Sequence, residues 1–258
     1  MDVLRREIDA IYARQQLWLD TLPASVLQQA IADVKAMTSI LGCCAVITDA
    51  SCDRSYFFGG RFAGLLELPE ALIPYHEIDS SDEDFLYARI HPKDIVDKRM
   101  LEYEFFKYAD RLAPQHKTSV RAVCRLRISD AHGRYITVDN STRVLRLSPS
   151  GKIWLILCCY DLSAHEPDPP AGICAGIVDI TGGEVEALSF ADKRDAILSE
   201  REKQILNLIR AGLLSKEIAA ELCISVNTVS RHRQNILQKL SVGNSMEAVN
   251  AAIAMGLL

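Results

Sequence analysis

Between Ser225 and Leu240 the chain carries Asn227, Ser230, Arg231, Gln234 and Gln238, spaced mainly three and four residues apart. If that stretch is a helix advancing about 100° per residue, all five share one side, while Val229, Ile236, Leu237 and Leu240 share the other. The apolar side must face a core. The polar side is made of the groups that read base edges in a DNA groove: Arg hydrogen-bonds guanine, and Asn and Gln pair with adenine. Asn227, Ser230, Arg231 and Gln234 are the candidate base-reading residues. No Asp or Glu occurs from Leu222 to Met246, so nothing there repels phosphate. Thr228, His232 and Lys239 flank the reading side as candidate phosphate contacts, joined by Lys216 and Ser225 at neighbouring helix starts. Arg233 is placed with them, although it projects nearer the core side.

The elements needed to hold that helix are legible around it. Ser199 with Glu202 three residues on is a capping box, opening a helix from Glu200 to about Ala211 that Gly212 ends. Ser215 is expected to cap Lys216 to Leu222, Cys223-Ile224 to turn tightly, and Ser225 to cap Val226 to Leu240. Two short helices joined by a turn, with small Ala219 where they must approach, are the helix-turn-helix signature. A last, Ala-rich helix spans about Ser245 to Met255, giving an all-α four-helix domain over residues 198–258.

The stretch LSEREKQILNLIRAGLLSKEIAAELCISVNTVSRHRQNILQKL resembles the LuxR-type helix-turn-helix regulators. Matching positions are Leu198, Arg201, Glu202, Gly212, Lys216, Glu217, Ile218, Ala219, Ile224, Ser225, Thr228, Val229 and His232. The resemblance implies base contacts at Ser230, Arg231 and Gln234, in agreement with the helical wheel, and dimerisation through the last helix; packing within the monomer is the competing use of that surface. The family's usual Lys after Thr-Val is Ser230 here, which shifts contact onto Arg231.

Charge divides the chain in the same place. The net charge of −5 over 258 residues sums 7 Lys/Arg against 5 Asp/Glu in residues 198–258 and 22 against 29 in residues 1–197. An acidic body carries a mildly basic tail. With 49% apolar and 24% charged residues, collagen-like, low-complexity and wholly disordered chains are excluded. The amino terminus, MDVLRREIDAIYARQQ, lacks a signal-peptide apolar core, and the longest strongly apolar run, Ile153–Tyr160, is too short to span a membrane. A cytoplasmic protein without membrane association is expected, its eight cysteines reduced and mostly in the core.

Residues 1–41 show two amphipathic stripes broken at Thr21-Leu22-Pro23, read as an antiparallel helical hairpin whose stripe is covered by the next domain or by a second chain. From residue 42 to 165 the periodicity becomes mostly that of strands: Cys44–Thr48, Ser55–Phe58, Val120–Ile128, 134–147 and Lys152–Tyr160, with a helix over Arg99–Leu112. The pattern predicts a meander sheet with helices on one side. The order Ile90-His91-Pro92-Lys93-Asp94, helix, strand, a D-x-x-G-R-Y turn at Asp130–Tyr135, strand, Gly turn, and a strand ending Tyr160-Asp161-Leu162-Ser163 resembles the PAS sensor fold. That resemblance implies a five-stranded sheet cupping a small cavity for haem, flavin, a metabolite or nothing. The light-sensing N-C-R-F motif is replaced by Gly59-Gly60-Arg61-Phe62, and His91 reads as a capping residue before Pro92, so no cofactor is expected. Residues 166–197 read as a connector, Pro-rich at Glu166–Pro170, with a β-hairpin of Ile173–Ile180 and Glu184–Phe190 that extends the sheet if it finds a partner there.

The fold class is therefore α+β: a helical hairpin, a PAS-like antiparallel sheet with helices, and an all-α helix-turn-helix domain. The function expected is a transcription regulator that binds double-stranded DNA as a homodimer and responds through its PAS-like part to a small molecule or partner. The alternative makes that part a dimerisation or interaction module without ligand. An enzyme built on His91, Cys124 or an adjacent thiol pair is disfavoured, because no nucleophile-elbow, phosphate-loop or metal-spacing motif occurs. Aspartyl phosphorylation is disfavoured because a meander replaces the βα repeat of a receiver.

Overall fold

The computed structural model describes residues 2–68, 72–81, 83–165, 173–190, 197–240 and 242–258. The Pro-rich segment expected at 166–170 lies outside them. Helices α1 (Asp2–Arg14) and α2 (Ala24–Leu41) lead into strands β1 (Cys44–Asp49) and β2 (Arg54–Gly59), followed by α3 (Phe62–Leu65), β3 (Tyr75–Ile78), α4 (Asp84–Tyr87), α5 (Pro92–Arg111) and α6 (Pro114–Lys117). Strands β4 (Val120–Ser129), β5 (Tyr135–Leu147), β6 (Ile153–Leu162), β7 (Cys174–Asp179) and β8 (Glu184–Leu188) complete one sheet, and helices α7 (Glu200–Arg210), α8 (Ser215–Glu221), α9 (Val226–Leu240) and α10 (Ser245–Ala254) close the chain. The result is a mixed fold with an antiparallel sheet and carboxy-terminal helices.

The sheet order is β3-β2-β1-β6-β5-β4-β7-β8, and every pairing is antiparallel. A receiver's parallel βα repeat is absent among the described residues. β3 is short and irregular in sequence and was not foreseen. The β7–β8 hairpin joins the sheet through β4, with Cys124 opposite Ala175.

Both faces of the sheet are covered, because β1, β2 and β6 are apolar on both sides. On one face Val46, Phe57, Ile156 and Tyr160 pack with Ile8 and Ile11 of α1 and with Leu101 and Phe105 of α5. On the other, Ala45, Ile47, Phe58 and Leu157 pack with Ala30 and Val34 of α2. Two expectations are corrected here: residues 2–41 do not pair as a helical hairpin, and the helices do not lie on one side only. The chain crosses from face to face around Leu17: α1 packs chiefly on α5, and α2 packs on β1 and β2. Gln15 anchors the first stripe: its amide donates to Asp110 Oδ1 at 2.8 Å and its carbonyl accepts the Ile153 N–H at 3.0 Å.

The segments around His91 and Asp130 have local physical roles. His91 caps α5, its Nδ1 accepting the Lys93 N–H at 3.2 Å. Asp94, buried in the first turn, accepts both the Arg127 N–H and its Nε–H at 2.9 Å and so pins α5 to β4. Asp130 Oδ1 accepts the N–H groups of His132 and Arg134, with Gly133 at φ 76° closing the turn.

All eight cysteines are free thiols, of which Cys52, Cys174 and Cys223 are exposed rather than in the core. Burial pushes the thiols of Cys44, Cys124 and Cys159 up to about 12, which keeps them protonated and unreactive at neutral pH. No helix among the described residues is long and apolar enough to cross a membrane, and no cluster of potential metal ligands occurs among them.

Candidate nucleic-acid interface

The carboxy-terminal helices are built by the caps that their sequences carry. Ser199 Oγ accepts the Glu202 N–H at 3.3 Å, while Glu202 Oε2 accepts the Ser199 N–H at 2.8 Å. Ser225 Oγ accepts the Thr228 N–H at 3.0 Å and opens α9. At α8 the expected cap is displaced by one residue: Leu214 precedes the helix, Glu217 accepts the Leu214 N–H at 2.6 Å, and Ser215 is the first helical residue. Arg201 reaches across to donate to the Leu222 carbonyl at 3.1 Å, satisfying a helix-end carbonyl where α8 stops. Removing one such cap costs about 1 kcal/mol, so Ser199→Ala is expected to lower urea-unfolding stability by about that much.

The turn between α8 and α9 places Cys223 at φ 51°, a left-handed conformation that costs a non-glycine residue about 1–2 kcal/mol. Cys223→Gly is therefore expected to raise the melting temperature slightly, the gain limited by glycine's greater unfolded-state entropy. A fall in melting temperature, read by circular dichroism, would contradict that reading of the turn.

On α9, Val229, Ile236 and Leu240 are buried, at 0%, 1% and 3% exposure, and Leu237 packs beside them. Asn227, Ser230, Arg231, Gln234 and Gln238 are exposed on the opposite side, with Ser225 and Lys216 also exposed and Thr228 and His232 half-buried at the flanks. Asn235, which was not singled out beforehand, is exposed next to Gln234. The core stripe fixes the rotation of the helix, and so fixes which side chains look outward.

Two residues expected on phosphates, Arg233 and Lys239, have partners within the domain. The Arg233 guanidinium donates from Nη1 to Ser215 Oγ at 2.7 Å and from Nε and Nη2 to Ser245 Oγ at 3.1 and 2.8 Å. It brackets α8, α9 and α10 together. Lys239 donates to Glu202 Oε2 at 2.7 Å. Burial works to raise the Glu202 pKa, but Lys239 and the Ser199 hydrogen bonds outweigh it and hold the carboxylate below its ordinary range. Arg233→Ala is expected to destabilise the four-helix unit without altering which DNA sequence it prefers, measured by thermal melting beside a binding-site selection.

The last helix turns Ala248, Val249 and Ala252 into the interior, so its small-residue side packs within the chain; Met246 and Ile253 stay exposed. The helical unit also rests on the rest of the protein. α1 touches α9, α10 touches α5, and Leu4, Val96, Met100, Ile197, Leu240 and Met255 surround an apolar cavity of about 260 Å³ at that seam.

A capped helix pair with a tight turn, followed by a helix whose core side is sealed and whose outer side is polar and free of acids, defines a helix-turn-helix DNA-binding domain. Residues 196–252 match the family model of the bacterial regulatory proteins of the luxR family. The uncharacterized response regulatory protein YgeK of Escherichia coli (strain K12) is 32% identical over 126 residues, covering 45% of this chain and 78% of YgeK. The chain belongs to the luxR family of bacterial regulatory proteins. The CsgBAC operon transcriptional regulatory protein of Escherichia coli (strain K12) is 47% identical over 63 residues, 24% of this chain and 29% of that protein. Apart from YgeK, the chain spans between 6% and 36% of the length of the curated relatives it matches. Among solved structures, the transcription factor GerE is 34% identical over 24% of this chain and 92% of its own, with a TM-score of 0.24. The phage VqmA–DPO complex is 17% identical over 89% of this chain and 91% of its own, with a TM-score of 0.29.

Proposed function

We propose that the protein is a cytosolic, sequence-specific transcriptional regulator in which residues 198–258 read DNA and residues 42–165 form a PAS-like sensor for a small molecule. The observation that carries the DNA-reading half is the exposed face of α9, where Asn227, Ser230, Arg231 and Gln234 point away from a sealed core. Lys216, Ser225, Thr228 and His232 surround that face and contact phosphates; Arg233 and Lys239 serve the fold. One arginine supplies too little discrimination for a specific site, so two copies bind two half-sites with centres about 34 Å apart. Lys216→Gln is expected to weaken binding about equally for all sequences and to lower the salt dependence by about one counterion per half-site. Fluorescence anisotropy across a salt series measures it; an unchanged slope removes Lys216 from the contact set.

The sensing half is supported by five antiparallel strands, β2-β1-β6-β5-β4, that cup a polar interior beneath α1 and α5. Lys98, fully buried, donates to Glu102 at 2.8 Å and Thr142 at 3.4 Å; Glu102 also accepts the Tyr87 hydroxyl at 2.5 Å. The buried Tyr160 hydroxyl has no hydrogen-bond partner among the described residues. A partly open pocket of about 40 Å³ lies among Tyr12, Glu83, Glu102, Thr142 and Cys158, and a groove of about 370 Å³ lined by Arg5, Asp9, Tyr12 and Ser81 adjoins it. The inner space holds little more than a water molecule as it stands, so a metabolite enters by moving α1. Because α1 also touches α9, that movement reaches the DNA-reading unit. Native mass spectrometry of purified protein tests this: an added mass that departs on denaturation supports sensing, and a bare chain favours the ligand-free interaction module.

A further inference from the structure

The sheet face opposite the polar interior carries an arrangement that neither DNA reading nor the interior cavity uses. The β4–β5 register sets Arg121 directly against Arg143. Strand alternation puts both on the face that also bears Arg125, Asp139, Ser141 and Cys159. Like charges facing each other across a ladder repel. Both Nε–H groups are buried with no hydrogen-bond partner among the described residues. Asp139 and Asp161 line the same groove but are engaged with other groups: Asp139 pairs with Arg125 at 3.4 Å, and Asp161 accepts the Leu162 N–H at 2.8 Å, which leaves Arg121 and Arg143 facing each other. The two arginines line a groove of about 470 Å³ that Met37 and Leu41 of α2 wall on one side. That volume is of metabolite size, and paired guanidinium forks match the geometry of a carboxylate or phosphate.

We propose that this groove is a binding site for a small oxyanion, the carboxylate or phosphate head of a metabolite held between Arg121 and Arg143 with its apolar part against Met37 and Leu41. The bound anion supplies the acceptors that the arginines lack and relieves their repulsion. This site is separate from the interior cavity and from α9, so it stands or falls independently of the functions proposed above.

The test uses the full chain in low-ionic-strength buffer, titrated with inorganic phosphate, sodium acetate or sodium chloride while melting temperature and binding heat are recorded. Phosphate or acetate is expected to give a saturable rise in melting temperature that chloride does not, and the effective anion identifies the head group. Arg121→Gln and Arg143→Gln are each expected to weaken that anion at least tenfold while keeping wild-type affinity for DNA. Without added anion, Arg143→Gln is expected to melt at or above the wild-type temperature, which shows that it folds and that the facing charges repel. Absence of a saturable effect, or an effect unchanged in both variants, overturns the proposal. So does loss of a concentration-dependent dimer in the variants without any anion effect, since the face then belongs to a second copy of the chain.

Discussion

Arg231→Ala is expected to weaken binding to a matched DNA site by about 1–3 kcal/mol per half-site, a factor of about 5 to 150. The reason is geometric. Val229, Ile236 and Leu240 are sealed in the core, so the helix cannot rotate to offer another base-reading cation, and Ser230 stands where a lysine would share the contact. Arg233, two residues on, cannot substitute because its guanidinium is committed to Ser215 and Ser245. The loss should fall on specific sites, with affinity for unrelated DNA reduced only by the one missing charge. Anisotropy titrations of matched and scrambled duplexes at one salt concentration separate these effects. Equal losses on both duplexes would make Arg231 a phosphate contact.

Lys98→Met is expected to have the largest effect on stability. Lys98 is fully buried on α5 and its ammonium is matched by Glu102 one turn away, with Arg99 contributing at 3.4 Å. Without Lys98 the buried Glu102 keeps only the longer Arg99 pair, and breaking a buried pair costs about 3–5 kcal/mol, a large part of the roughly 5–15 kcal/mol that typically holds a domain together. Burial works to raise the Glu102 pKa, but the Lys98 and Arg99 charges and the hydrogen bonds from Lys98 and Tyr87 hold it below its ordinary value of 4.5. For Lys98 burial works downward, and Glu102 more than offsets it, raising the pKa above its ordinary 10.5. The signs define a window. Glu102 contributes stability above 4.5 that is lost as pH falls through its lowered folded value, and Lys98 contributes below 10.5 what is lost as pH rises through its raised one. In Lys98→Met the deficit should shrink on acidification, as Glu102 takes a proton, and Lys98→Met/Glu102→Gln should recover part of it. Urea unfolding between about pH 4 and pH 8 measures both. A deficit under 1 kcal/mol, about the size of a surface pair, would mean that the pair is more hydrated than its burial indicates.

The polar outer face of α9 is legible because a helix has one period: once the apolar residues at Val229, Ile236 and Leu240 are seen, the angle of every other side chain follows. The partners of those side chains are not. A wheel gives Arg233 a direction, but Ser215 and Ser245 lie 18 and 12 residues away in sequence, and only the tertiary packing of three helices brings their hydroxyls to it. The sequence offers Lys239 as a candidate phosphate contact without showing its partner for the same reason, since Glu202 stands 37 residues upstream. The strands β4, β5 and β6 were visible in their alternation and turns. What amphipathic stripes could not reveal was which surface covers them, so α1 and α2 were joined to each other when they belong to opposite faces of the sheet. The Arg121–Arg143 pair was hidden too, because a strand pattern gives each arginine a face but only the register makes them neighbours.

The most direct measurement of the central claim, that the outer face of α9 selects DNA sequence, is enrichment of binding sites from a random duplex pool by the wild-type chain and by Arg231→Ala at the same salt concentration. The wild type is predicted to enrich two related half-sites about one helical turn apart, and the variant to lose base preference at one position within each half-site while the spacing persists. Identical enriched sequences from both proteins would contradict the assignment of α9 as the reading helix.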